Sequence, residues 1–134
     1  MKEVIIMPIV QVDWTVKKTA EEKREFMDFI ADSINEATGT IQKNVYVYIT
    51  EWEKENARKT APVIRVDWTD MPDTRTYAAK QVLFKKFTDK LRELTGEDPS
   101  DIVIIFNDIP LYNAYINYTT RYEWMGENDF KDKK

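Results

Sequence analysis

Pro8-Ile9-Val10-Gln11-Val12-Asp13-Trp14 returns 54 positions later as Pro62-Val63-Ile64-Arg65-Val66-Asp67-Trp68. In the first copy Pro8, Val10, Val12 and Trp14 share one side, and in the second Pro62, Ile64, Val66 and Trp68 repeat it. Gln11 and Asp13, then Arg65 and Asp67, take the opposite side. Alternation with period two, in a run rich in Val and Ile, predicts a β-strand with one buried face. Proline suits the first position of each copy, because a strand can begin on a residue that lacks an N–H. Arg65 and Asp67, two apart on one face, are expected to form a local ion pair.

The surrounding residues repeat as well. After Trp14, Thr19 and Glu22 have the spacing of a capping box, in which each side chain satisfies a free backbone N–H of the other. Phe26, Phe29, Ile30, Ile34 and Ala37 then follow at helical spacing, and Gly39 stands where a left-handed cap belongs. Val45 to Ile49 reads as the next strand, ended by Thr50-Glu51-Trp52. Beyond the charged connector Glu53 to Thr60 the series starts again. Arg75-Thr76 matches Lys18-Thr19, Leu83, Phe84, Phe87, Leu91 and Leu94 line a second helix, and Gly96 closes it. Ile102 to Phe106 is the fourth strand, and Asn107-Asp108 stands where Thr50-Glu51 stood. The offset grows from 54 (Pro8 to Pro62) to 57 (Gly39 to Gly96), which places a three-residue insertion at Met71-Pro72-Asp73.

The chain therefore reads as two tandem β-α-β repeats, residues 8–57 and 62–118, in a single domain spanning 1–134. Residues 1–7 are an N-terminal extension, with Val4, Ile5 and Ile6 already strand-like, and residues 119–134 a C-terminal tail. Tyr112, Tyr115 and Tyr118, at helical spacing ahead of Tyr122 and Trp124, are expected to pack at an interface, and Glu127 to Lys134 to be a frayed, solvated end. The expected architecture is α/β (α+β): a four-stranded sheet with both helices on one face, each unit closed by a right-handed parallel crossover. Tyr46 and Tyr48 lie opposite Val45, Val47 and Ile49, so the second strand is apolar on both sides. The face left bare by the helices needs a cover, and another copy of the chain is the simplest.

Composition narrows the chemistry. A net charge of -4 argues against a nucleic-acid partner. No apolar run reaches the ~20 residues of a membrane span, and Met1 to Met7 is too short in apolar residues for a secretory signal. The expectation is a cytoplasmic protein with no membrane partner. With no Cys and no His, thiolate chemistry, the usual general base and the commonest metal ligand are all missing, so no metal site and no cofactor are expected.

A strand opened by Pro8-Ile9 with Gln11, a basic residue before each helix, and Ile49-Thr50-Glu51 closing a unit of about 60 residues resemble the tautomerase superfamily. Residues 8–57 are similar to 4-oxalocrotonate tautomerase. The doubled chain, over about 8–118, resembles fused members such as cis-3-chloroacrylic acid dehalogenase and malonate semialdehyde decarboxylase. The resemblance implies a tautomerase/MIF-like fold, a homotrimer, and keto-enol tautomerisation of a small unsaturated or 2-oxo carboxylate. It makes Pro8 the match of the catalytic proline, a secondary amine of depressed pKa. It makes Arg75 and Lys18 the cations that hold the substrate carboxylate, for which a planar guanidinium fork is suited. Tyr46 falls where single-unit members carry a second arginine, and Phe106 on the fourth strand completes the substrate-binding set. The fused dehalogenases also use a His, a Tyr and a Glu; this chain has no His and carries Ile105 and Ile116 at the other two positions, so dehalogenation is not expected.

Two alternatives stand beside this reading. Behind a peptide bond the Pro8 nitrogen is an amide without an available lone pair, which makes a non-catalytic binding or structural protein of the same fold. Met7-Pro8 has the form of a translation start, and a chain opening on Pro8 would free the amine. A ferredoxin-like α/β-barrel protein shares the β-α-β-β-α-β order. Plainer roles exist for the residues too: Pro8 as a strand opener, and Lys18 and Arg75 as solvated cations whose loss would cost little stability. Cations are nevertheless disfavoured at a helix N-terminus, and finding one in both halves points to an anionic partner.

Overall fold

The computed structural model describes residues 8–120 and 123. The extension 1–7 and most of the tail, including Tyr122, Trp124 and the charged end, lie outside the described residues. The repeat appears as expected. β1 (Ile9–Trp14), α1 (Ala20–Thr38) and β2 (Tyr46–Glu51) are followed by β3 (Val63–Thr69), α2 (Tyr77–Thr95) and β4 (Val103–Ile109). Single 3-10 turns recur at the same offset of 57, at Gln42–Asn44 and Pro99–Asp101, then at Lys54–Asn56 and Leu111–Asn113.

Local sequence sets the helix ends. The Thr19 hydroxyl accepts the Glu22 N–H at 3.1 Å, and the Glu22 carboxylate accepts the Thr19 N–H at 2.9 Å, which completes the capping box. The Thr76 hydroxyl caps α2 by accepting the Ala79 N–H at 3.1 Å. Both helices stop on a left-handed glycine, Gly39 (φ 78°) and Gly96 (φ 72°). A Cβ at Gly39 would meet nothing within 4 Å, so Gly39→Ala should cost only the backbone strain, about 1 kcal/mol, read as a lowered urea midpoint.

The sheet order is β2-β1-β3-β4. β1 pairs with β2, and β3 with β4, in parallel, while β1 and β3 run antiparallel with Gln11 opposite Arg65. The two repeats are thus related by a pseudo-two-fold axis through the Gln11–Arg65 pair. A ferredoxin-like arrangement is set aside here, because it would put β2 beside β3 as a hairpin.

Both helices cover one sheet face. Val10, Val12, Trp14, Ile64, Val66 and Trp68 point into the core from the two central strands. Phe26, Ile30 and Ile34 from α1, and Leu83, Phe87 and Leu91 from α2, meet them with essentially no exposure. Burial of twelve such side chains supplies the main driving force for folding. The register lays the other face out in rows: Tyr46–Ile9–Asp67–Asn107, Tyr48–Gln11–Arg65–Ile105, and Thr50–Asp13–Val63–Val103. Tyr46, Tyr48, Val103 and Ile105 are exposed on it, so its edges are apolar and its centre polar.

Three local expectations change. Asp67 accepts the side-chain N–H of Asn107 across the strand at 3.1 Å, and no ion pair joins it to Arg65 among the described residues, because the facing strand offers a nearer donor. β4 runs on to Ile109, past Phe106. The helical spacing of Tyr112, Tyr115 and Tyr118 is not that of one helix: Tyr112 lies in the single 3-10 turn Leu111–Asn113, and β5 (Tyr115–Ile116) and β6 (Thr119–Thr120) make a short antiparallel hairpin.

Candidate functional site

The antiparallel junction divides the repeats between two ends of the sheet. β3 and β4 finish where β1 begins, at the Pro8 end; β1 and β2 finish where β3 begins, at the Pro62 end. Pro8 is buried, and its carbonyl accepts the Tyr46 N–H at 2.9 Å. One step inward Ile9 lies opposite Asp67, which brings Pro8 level with Trp68.

Arg75 folds back into this end. The three extra residues form a turn in which the Thr74 and Arg75 N–H groups donate to the Met71 carbonyl at 3.1 and 2.7 Å. The side chain turns inward and is 4 % exposed, so the expectation of a solvated cation is corrected. One terminal nitrogen donates to the Thr69 carbonyl at 2.7 Å and the Thr69 hydroxyl at 3.1 Å, and the other reaches the Thr40 hydroxyl at 3.4 Å. The guanidinium carbon lies 4.8 Å from the centre of the Trp68 ring, within cation–π range. Nε has no hydrogen-bond partner, and no carboxylate forms an ion pair with Arg75 among the described residues. Burial pushes its pKa down to about 9, while the charges of Asp108 and Asp70 push it back up. An arginine stays protonated at neutral pH, so the burden appears as a cost to stability and as affinity for an anion.

A second layer holds the platform under Arg75. The Trp68 indole N–H donates to Asp108 Oδ1 at 2.6 Å, and Lys80 Nζ pairs with Asp108 Oδ2 at 2.6 Å. The Pro62 end carries the same device: Trp14 donates to Glu51 Oε2 at 3.0 Å, and Lys23 lies 3.5 Å from Glu51 Oε1. Burial alone would raise the Glu51 carboxyl, but the Lys18 N–H, the Trp14 indole and Lys23 outweigh it, and its pKa falls below the usual range. A depressed carboxyl pKa stabilises the fold above the ordinary value and loses that contribution as the pH drops through the folded value. Glu51→Gln should therefore cost about 1–2 kcal/mol at neutral pH, and the gap from wild type should close as the pH falls through and below the ordinary carboxylate range, measured by urea unfolding across pH.

The predicted residues do not all meet. Pro8, Tyr46 and Arg75 share one end, with the Tyr46 ring half-exposed on the open face. Lys18 lies at the other end, where its N–H donates to Glu51 at 2.9 Å and its ammonium stands 4.0 Å from Glu22. Arg75 and Lys18 of one chain therefore cannot grip one small carboxylate. Phe106 packs on the helix side, 4.8 Å from Trp68 and 5.3 Å from Phe84. Trp68 and Asp108 stand out in the sequence only as equivalent strand-end residues, and Lys80, Thr40 and Thr69 not at all. The visible signal was the 57-residue recurrence of the lysine (Lys23, Lys80) and the carboxylate (Glu51, Asp108). No group of three or more Asp or Glu residues able to hold a metal ion occurs among the described residues.

No family model matches the chain, and no curated protein is similar to it in sequence. Solved structures do match in fold. An asymmetric trimer of a fused 4-OT superposes with a TM-score of 0.74 at 19 % identity, over 87 % of this chain and 98 % of that one. Pt0534 inactivated by 2-oxo-3-pentynoate gives 0.76 at 18 % identity, with the same shares. FG41 malonate semialdehyde decarboxylase inhibited by 3-bromopropiolate gives 0.68 at 18 %, over 90 % and 98 %. At these identities the likeness is one of fold, the fold that the resemblance to the tautomerase superfamily implies.

Proposed function

We propose that the chain is a self-associating tautomerase-superfamily protein that binds a small 2-oxo or unsaturated carboxylate at the Pro8 end of its sheet. The observation that carries this reading is the gathering of Pro8 and Arg75 at one end, with the guanidinium buried against Trp68 and lacking a carboxylate partner. The Thr40 contact, the longest of the three at 3.4 Å, is the one that yields to an incoming carboxylate. With a free amine, Pro8 takes the proton of an enol hydroxyl and returns a proton to the adjacent carbon, giving the keto acid with no net change in protons. Self-association as a trimer belongs to the reading. It is supported by the apolar edges of the open face and by the trimeric state of the fused 4-OT structures. A cytoplasmic location belongs to it too; no helix among the described residues is long and apolar enough to cross a membrane.

One observation favours a second reading. In the chain as written Met7 acylates Pro8, and the nitrogen then has no basic lone pair. In that form the Pro8 end binds a carboxylate without turning it over. Two preparations separate the readings: the full chain and one beginning at Pro8, each assayed for ketonisation of enol phenylpyruvate and for 2-oxo-acid binding by tryptophan fluorescence. Turnover confined to the Pro8-initiated chain supports the enzyme. Binding without turnover in both supports the binding protein, and the absence of both overturns the site.

A further inference from the structure

The pseudo-two-fold gives each end of the sheet an equivalent corner under the 3-10 turn that follows β2 or β4. At the Pro8 end the corner residue Ala114 is buried. At the Pro62 end its counterpart, Ala57, borders an open cavity of about 220 Å³ lined by Trp52 and floored by Val63. Trp52 is fixed there by its N–H to Asp13 Oδ1 at 2.7 Å. Asp13 and Asn56 add polar groups to an otherwise mostly apolar lining. The volume falls short of the roughly 300–1,000 Å³ usual for metabolite-sized sites, and it suits a single aromatic ring.

Elsewhere the chain holds out such a ring. The β5–β6 hairpin turns on Asn117 (φ 54°) and Tyr118 (φ 63°), both left-handed. Asparagine is at home at the first position of such a turn, but the second favours glycine, and a bulky side chain there is strained. Tyr118 is 91 % exposed, so no packing among the described residues compensates that strain. Backbone strain held at an exposed aromatic tip is a mark of a functional contact.

We infer that Tyr118 of one copy inserts into this cavity of the next, against Trp52. The inference deepens the self-association proposed above and rests on it. Asp13 and Val63 belong both to the cavity and to the Thr50–Asp13–Val63–Val103 row of the open face, so the two contact surfaces are continuous. The phenol O–H donates to the Asp13 carboxylate or the Asn56 side-chain carbonyl while the ring stacks on indole, the kind of buried tyrosine anchor that dominates interfaces. The hairpin follows β4, which finishes at the Pro8 end, whereas the cavity lies at the Pro62 end. The contact therefore joins unlike surfaces, and contacts of that type build closed rings when the rotation between copies allows.

The absence of Cys from the chain gives a clean background for the test. The double variant Ala57→Cys/Tyr118→Cys, oxidised and run on a non-reducing gel, should give disulfide-linked dimers and trimers. Ala57→Cys/Lys85→Cys, with its second thiol on exposed α2 surface, should give at most a trace. Light scattering over a dilution series provides the second measurement. Tyr118→Gly, which relieves the turn and leaves the monomer folded, should weaken assembly at least tenfold, while Tyr118→Phe should stay within a few-fold of wild type. Assembly that persists with no specific cross-link, or with Tyr118→Gly at wild-type affinity, overturns the inference and leaves self-association standing. A wild-type chain that is monomeric at every concentration overturns both.

Discussion

Trp68→Ala should be the most damaging single substitution described for this protein, at about 4 kcal/mol, most of the stability of an ordinary domain. The side chain is fully buried in the core and meets Phe106 at 4.8 Å. Its loss opens a cavity, removes the ring under Arg75 and strips Asp108 of its indole donor. Urea unfolding measures the total, and a matched pair of milder changes divides it. Trp14→Phe and Trp68→Phe each keep a ring while breaking one indole–carboxylate bond, so both should lose about 1–3 kcal/mol. Only Trp68→Phe should also weaken 2-oxo-acid binding, because only that indole carries the guanidinium. Equal loss of binding in both variants would show that Trp68 acts through general stability and not through Arg75.

The second large effect concerns Arg75. Arg75→Ala should abolish carboxylate binding and lower stability by about 2–3 kcal/mol, since it removes a charged donor from the Thr69 carbonyl and leaves a void against Trp68. Arg75→Met should also abolish binding yet stay within about 1 kcal/mol of wild type, because it fills the volume and removes a buried cation that lacks an ion-pair partner. If Met proves as destabilising as Ala, the hydrogen bonds to Thr69 hold this end together and the volume matters little. The pH dependence has a definite sign. A basic group whose folded pKa is lowered to about 9 costs stability throughout the range below 9, and the cost eases only as pH rises through that value. A bound carboxylate offsets the same cost, so the rise in melting temperature given by a 2-oxo acid should be full at pH 7 and shrink above pH 9.

The fold was legible because the sequence states it twice, with period-two strands, a capping box and two left-handed glycines at equal offsets. The antiparallel meeting of β1 and β3 was not legible, since the polar connector Glu53 to Thr60 permits either direction and the pairing is settled by core packing across the pseudo-two-fold. Pro8 and Arg75 could be picked out by resemblance. The burial of Arg75 could not, because a cation before a helix ordinarily stays in water and here its fate depends on a turn three residues longer than in the first repeat. The helical spacing of Tyr112, Tyr115 and Tyr118 does not continue as one helix. The better cue was Asn117, a residue that tolerates the left-handed conformation of a tight hairpin turn.

That longer turn distinguishes the ends of a molecule whose halves otherwise match closely. At the Pro62 end the short path from Thr15 leaves the Thr15 hydroxyl donating to the Thr60 carbonyl, and the Thr60 hydroxyl donating to Glu97, the counterpart of Thr40. At the Pro8 end the guanidinium of Arg75 spans the equivalent gap between Thr69 and Thr40. A duplicated gene begins with two equal ends, and point changes in a shared core tend to disturb both. A change of length in one surface turn escapes that constraint: it makes one end cationic, leaves the packing of the other untouched, and lets each be selected for separate work.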